Sequence, residues 1–108
     1  MKIYCADRGR GKTTKVIELS IKYQMPIVCI NNHHKTYIIE KAKEMGIFSE
    51  LPEPLLKEEV HKKIIGNRVG LIIDDLEDFL RVTLGDNVYY ATMVDCDITH
   101  IKENDNYE

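Results

Sequence analysis

The sequence lacks any apolar run of the roughly 18 residues that a membrane-spanning helix requires. Its N-terminal residues also lack the apolar stretch of a secretory signal peptide, so we expect an intracellular, cytoplasmic protein. The three cysteines, Cys5, Cys29 and Cys96, share no metal-ligand spacing and are odd in number. We therefore expect small buried thiols in a reducing compartment, and neither a zinc site nor a disulfide framework.

The chain is also short and has a small net charge. Its 108 residues suffice for one domain with a modest core, which we assign to residues 1–101, followed by a polar tail over residues 102–108. The net charge of −3 argues against broad, nonspecific coating of nucleic acid. Residues 1–23 nevertheless carry six basic against two acidic residues. This basic end suits a polyphosphate anion, and a local contact with nucleic acid stays open.

A glycine-rich loop lies close to the start of the chain. The segment Ala6-Asp7-Arg8-Gly9-Arg10-Gly11-Lys12-Thr13 follows a short apolar run and precedes a helix-like stretch. This is the strand, loop, helix order of a phosphate-binding P-loop, with alanine where the first glycine usually stands. We predict that nucleotide binding involves Gly9, Arg10, Gly11, Lys12, Thr13 and Thr14, through backbone amides, the lysine charge and the first helical turn. The alternative is a glycine-rich turn with stray basic residues.

A second motif, Leu71-Ile72-Ile73-Asp74-Asp75, is an apolar run that ends in two aspartates. Such a run describes a Walker B strand, in which Asp74 would hold Mg²⁺ opposite the Thr13 hydroxyl. We therefore predict Thr13 and Asp74 as the metal ligands. The alternative is a buried strand followed by an acidic helix N-cap, a position that the helix dipole favours.

Apolar runs and helical spacings alternate along the whole chain. We predict strands over residues 2–6, 27–30, 69–73, 88–94 and, at an edge, 98–101, with helices over 13–23, 32–45, 54–60 and 76–84. The alternation predicts an α/β fold, a three-layer α/β/α sandwich with a mostly parallel sheet of four to five strands. Ligands bind such sheets at the carboxyl ends of the strands, where both motifs lie.

Together the two motifs resemble the P-loop NTPase superfamily, in the branch with an additional strand that includes RecA-like and AAA-type ATPases. The resemblance implies a minimal P-loop fold with Mg²⁺ and ATP, or another nucleoside triphosphate, as cofactors. It also implies catalytic roles for Lys12 and for the carboxylate after the magnesium aspartate. That residue is Asp75, where the family usually has the longer glutamate. The compact size also resembles small P-loop proteins of phages and mobile elements.

These features predict slow or partner-dependent hydrolysis. A lone domain of this size cannot easily exclude water from a phosphate site, so we expect assembly with itself or with a larger protein partner. Two other functions stay open. One is a non-hydrolysing module that recognises a protein or nucleic acid, and the other is a small-molecule kinase, for which an acceptor lobe and cysteine-ligated zinc are missing.

Three groups of polar residues allow two interpretations each. Arg8 and Arg10 either contact phosphates or a neighbouring subunit, or are solvated. Arg81 is either an arginine finger supplied in trans or a partner of Glu77 or Asp78 in a surface salt bridge, which helical spacing favours. The run His33-His34-Lys35 either contacts a nucleotide or forms a plain polar helix N-terminus.

Overall fold

The computed structural model describes residues 1–6, 11–63, 70–93 and 96–101. In chain order its elements are β1 (Lys2–Cys5), α1 (Lys12–Tyr23), β2 (Ile27–Cys29), α2 (Asn32–Glu44), β3 (Leu55–Leu56), α3 (Val60–Lys63), β4 (Ile72–Ile73), α4 (Leu76–Leu84) and β5 (Asp97–His100). Short 3-10 turns span Phe48–Glu50 and Lys57–Glu59. The alternation of strands and helices agrees with the predicted α/β class.

The strands pair in parallel but form two sheets among the described residues. One sheet pairs β1 with β5, and the other has the order β3-β2-β4, with Val28 opposite both Leu55 and Ile73. The sequence predicted one sheet of four to five strands. A further strand was predicted over residues 88–94, and its described part, residues 88–93, is exposed and forms no strand. Residues with a high strand propensity form strands where they can pack on a half-buried sheet surface, and this segment packs against no such surface.

The segment after Pro54 is the clearest difference from the prediction. Leu55 and Leu56 form β3 beside β2, and Leu55 is buried, whereas the sequence predicted a helix over residues 54–60. A proline suits the first turn of a helix, but it equally suits the start of an extended segment, and a two-residue apolar run carries no period. The helical turns begin only at Lys57.

The helix boundaries follow local signals that the sequence does carry. The Asn31 side chain accepts a hydrogen bond from the His34 backbone N–H at 2.8 Å and so caps α2, as predicted. Gly46 follows the end of α2 at a φ of 74°, and Gly85 ends α4 at a φ of 92°. Glycine adopts these positive φ values without the steric penalty of a Cβ atom.

The core lies where α1 and α2 pack against each other and against β2. Its fully buried members are Ile17, Ile27, Cys29, Ile38 and Ala42. Burial is expected for these residue types and supplies most of the stability of a small domain. Cys29 is therefore a core residue, as predicted, whereas Cys5 and Cys96 are half-buried, and all three thiols are free.

By contrast, α4 contributes no buried residue. Its apolar side and residues 88–91 line an open hollow of about 540 Å³. Tyr89 is 77% exposed and Tyr90 is 94% exposed. Because adjacent strand residues point to opposite faces, the sequence predicts that one of these two tyrosines lies in the core, and this prediction is wrong. In the described part of the chain, no helix is both long enough and apolar enough to traverse a bilayer.

Burial raises the pKa of the Cys29 thiol to about 11. The thiolate is the reactive form, so at pH 8 only on the order of one Cys29 in a thousand is reactive. We expect iodoacetamide to modify Cys29 far more slowly than Cys5 and Cys96, with the Cys29 rate rising as the pH approaches 11. Peptide mass spectrometry measures all three rates, and guanidinium-unfolded protein is the control. Equal rates for the three thiols in folded protein would contradict the burial of β2.

Candidate functional site

The polar residues predicted at the strand ends meet at one edge of the three-stranded sheet. Because β2 and β4 are parallel neighbours, Asn31 and Asp74 leave the sheet on the same side. The start of α1 reaches the same place, since the Thr13 hydroxyl donates a hydrogen bond to Asp74 Oδ2 at 3.1 Å. Residues that are 61 positions apart in the sequence therefore share one cleft.

Gly11 sets how α1 enters this cleft. It is buried and precedes the helix with a φ of 88° and a ψ of 20°, a left-handed conformation that side chains disfavour. The first turn of α1 has no acidic residue, so no side-chain charge there offsets the positive end of the helix dipole. Thr14 is buried in that turn. Gly9 and Arg10, also predicted to bind nucleotide, lie outside the described residues, as does Arg8.

Asp74 is the buried acid of the cleft, with 6% of its surface exposed. Two side chains donate to the same oxygen, Oδ2: the Thr13 hydroxyl at 3.1 Å and the His34 Nε2 at 3.3 Å. A buried carboxylate is costly unless it receives such hydrogen bonds. Asp74 is thus held by the first turn of α1 and the first turn of α2.

His34 was not predicted as a site residue. Its Nδ1 accepts the backbone N–H of Ile30 at 3.2 Å, so in the neutral ring the proton resides on Nε2, which donates to Asp74. The sequence left the run His33-His34-Lys35 open between a nucleotide contact and a polar helix start, and it did not predict a contact with Asp74. Finding His34 required knowing that β2 lies beside β4, and no local signal in the sequence carries that information.

The cleft encloses about 270 Å³ and is rich in acidic groups. Its lining residues are Lys12, Thr13, Ile30, Asn31, His33, His34, Asp74, Asp75 and Asp78. Lys12 is half-buried and pairs with no acidic group of the described chain. Among the described lining residues, one ammonium stands against three carboxylates, of which that of Asp78 also pairs with Arg81. The remaining carboxylates favour a cation, or an anion that arrives with one.

Asp75 has a structural task that the sequence raised as an alternative. It caps α4, since its Oδ1 accepts the Asp78 backbone N–H at 3.1 Å, and its φ is 65°. Asparagine and aspartate tolerate this left-handed conformation better than other side chains. The capping half of the alternative interpretation is therefore correct, and the carboxylate still lines the cleft.

Arg81 is held on the surface of α4. Its guanidinium contacts Asp78 at 2.8 Å and Glu77 at 3.1 Å. The surface salt bridge that helical spacing favoured is therefore confirmed. These exposed pairs contribute little to stability.

The donor set of the cleft fits a hard divalent cation. Thr13 and Asp74 offer oxygen atoms, and Mg²⁺ typically takes one or two protein oxygens while keeping waters and substrate phosphates as its other ligands. Within the described ranges, no group of three or more histidines, cysteines or carboxylates is arranged to hold a metal ion alone. A cation held by Thr13 and Asp74 would complete its shell with waters or with oxygens of a bound anion.

No family model, curated protein or solved structure matches this chain. The chemistry of the cleft therefore rests on its own residues and their geometry.

Replacement of Asp75 separates its capping task from its charge. Asp75→Ala removes the cap and strains the positive φ, so we expect a loss of about 1–3 kcal/mol in the free energy of unfolding. Asp75→Asn keeps an accepting oxygen and tolerates the backbone, so its stability should stay close to that of the wild type. Urea unfolding followed by circular dichroism measures both. Equal stability of the alanine variant and the wild type would contradict the cap.

Proposed function

We propose that this protein is a small Mg²⁺-dependent nucleoside-triphosphate-binding protein, with ATP as the nucleotide to test first. One observation carries the proposal: the hydrogen bond between Thr13 and Asp74 brings the glycine-led start of α1 and the acidic end of β4 to the same cleft. The two motifs are far apart in the sequence. Their meeting is what a site for a metal-bridged phosphate chain requires.

Each residue has a role in this proposal. The amides of the first turn of α1, together with Gly9 and Arg10, hold the phosphates, and Lys12 offsets the charge of the outer ones. Thr13 and Asp74 hold the Mg²⁺. The bound Mg²⁺ would neutralise phosphate charge and orient the chain of phosphates.

The charges of the cleft support a requirement for the metal. Among the described lining residues, the carboxylates of Asp74 and Asp75 outnumber Lys12, while Asp78 pairs with Arg81, so these two carboxylates repel a bare triphosphate. A bound divalent cation would offset that repulsion. The volume of about 270 Å³ lies near the lower end of ligand pockets, which suits the phosphate chain with the base lying outside.

The Lys12→Ala substitution tests the phosphate contact. Because a hydrogen bond to a charged group contributes roughly 1.5–3 kcal/mol, we expect the variant to bind a fluorescent ATP analogue about 10- to 100-fold more weakly with Mg²⁺ present. Lys22→Ala is the matched control, since it makes the same change at the exposed far end of α1. Fluorescence anisotropy measures the affinities.

Two results contradict the proposal. One is equal affinity of Lys12→Ala and wild-type protein for the analogue. The other is binding that does not change when Mg²⁺ is removed with EDTA, because the acidic cleft then plays no part.

We also propose slow or partner-dependent hydrolysis of the nucleotide, which the geometry of Asp75 supports less than it supports binding. Its Oδ1 already accepts the Asp78 N–H, and its side chain is one methylene shorter than glutamate. This observation favours a second candidate function: a module that binds nucleotide without turnover and recognises a protein or nucleic-acid partner. The small-molecule kinase has no such support.

Turnover separates these two functions. If Asp75 orients the attacking water, Asp75→Asn should still bind the ATP analogue with Mg²⁺ but release phosphate from ATP roughly 100-fold more slowly than the wild type, as for loss of a general base. Asparagine keeps the N-cap of α4, so slower phosphate release in this variant would not result from a loss of folded protein. Wild-type protein that binds ATP and releases no phosphate, alone or with single-stranded DNA, supports the module instead.

We also propose assembly with a second copy or a larger partner. Several residues of the cleft, including Asn31, His33 and Asp75, face solvent, and fixed charges stabilise a transition state best where water is excluded. Phosphate release per molecule that rises with protein concentration supports self-assembly. A rate that rises only with an added partner points to that partner.

A further inference from the structure

A histidine holds the buried acid of the cleft, and neither sequence motif includes it. We propose that His34 is a positioning residue for Asp74, which orients the carboxylate so that it can hold the cation opposite Thr13. This inference rests on the proposed function, because it concerns the same metal and nucleotide site. It adds a residue from a third element, α2, to that site.

His34 is fixed from three directions. Its backbone N–H donates to Asn31 Oδ1 at 2.8 Å, and its ring Nδ1 accepts the Ile30 N–H at 3.2 Å. The remaining ring nitrogen, Nε2, lies 3.3 Å from Asp74 Oδ2. The His34 side chain is 15% exposed. A ring held in this way gives its donor a fixed direction and a fixed tautomer.

These contacts place the two carboxylate oxygens of Asp74 in different environments. Thr13 and His34 both donate to Oδ2, and no described residue donates to Oδ1. Two donors from different helices set the rotation of the carboxylate and leave Oδ1 as the oxygen available to a cation or to its bound water. Partners of this kind, one step removed from the metal, commonly change metal affinity by about 10- to 100-fold.

Two simpler interpretations explain less. A plain polar helix start accounts for Asn31, which caps α2, but not for a ring that reaches the end of β4. Direct metal ligation by His34 requires a free nitrogen lone pair. Nδ1 accepts the Ile30 N–H, and Nε2 carries the proton, so neither nitrogen offers one.

The test compares variants by how much Mg²⁺ improves binding of the fluorescent ATP analogue, measured with Mg²⁺ and with EDTA. His34→Leu removes the donor, and we expect the gain from Mg²⁺, taken as the ratio of the affinities with Mg²⁺ and with EDTA, to fall by about 10- to 100-fold. His34→Gln keeps a donor near the position of Nε2 and should recover part of the gain. His61→Leu, at an exposed position of α3, is the matched control.

The outcomes separate the two proposals. Wild-type protein with no Mg²⁺-dependent gain overturns the proposed function and this inference with it. A normal gain in the wild type and an equal gain in His34→Leu overturns the inference alone. A loss in His34→Leu that His34→Gln partly reverses supports it.

Two measurements on wild-type protein do not depend on the folding of any variant. In the neutral form of the His34 ring, long-range ¹⁵N NMR should show the proton on Nε2, and a proton on Nδ1 would overturn the inference. Pulsed EPR with Mn²⁺ and nucleotide should show no strong ¹⁴N coupling from a directly bound imidazole. Such a coupling would make His34 a ligand and overturn the positioning role.

Discussion

The buried carboxylate of Asp74 is the constraint on which the cleft depends. Removing an ionised group from water costs several kcal/mol unless donors replace the lost hydration. Here the donors are a hydroxyl from α1 and an imidazole from α2, while the acid itself follows β4. Satisfying one carboxylate thus ties together three elements that are distant in the sequence. The shape of the cleft is the geometric result of that requirement.

The parallel order of the sheet makes this meeting possible. Parallel neighbours need crossover connections, and each connection returns the chain so that all strands end at the same edge. The helices α1 and α2 share one packed core with β2, and this core fixes where their first turns lie. The same two helices therefore form the apolar core and supply the donors of the polar cleft, so a displacement of a helix in the core would also displace its residues in the cleft.

The sequence correctly predicted those features of the fold that depend on interactions between residues close together in the chain. Asn31 and Gly85 marked helix boundaries because a capping side chain or a positive φ acts within a few residues. The proximity of Thr13 and Asp74 also followed from the rule that parallel strands end together. Each of these predictions needed only the spacing of apolar residues, a capping residue or the position where a strand ends.

Non-local pairing decided the rest, and the sequence does not carry it. Leu55 and Leu56 form a strand because β2 offers them an open edge, whereas their own pattern fits a helix start equally well. Residues 88–93 have strand-type composition and find no covered edge. His34 joins the site only because β2 and β4 are neighbours. In each case the deciding partner lies far away along the chain.

The left-handed backbone at Asp75 narrows the evolutionary routes open to this protein. A glutamate there would reach further into the cleft, but it is a poor N-cap and tolerates a φ of 65° badly. The exchange of one acid for the longer one is a small genetic step, yet here it would sacrifice the start of α4. A lineage that gained a longer acid at this edge of the cleft would have to recruit it from another element or from a neighbouring molecule.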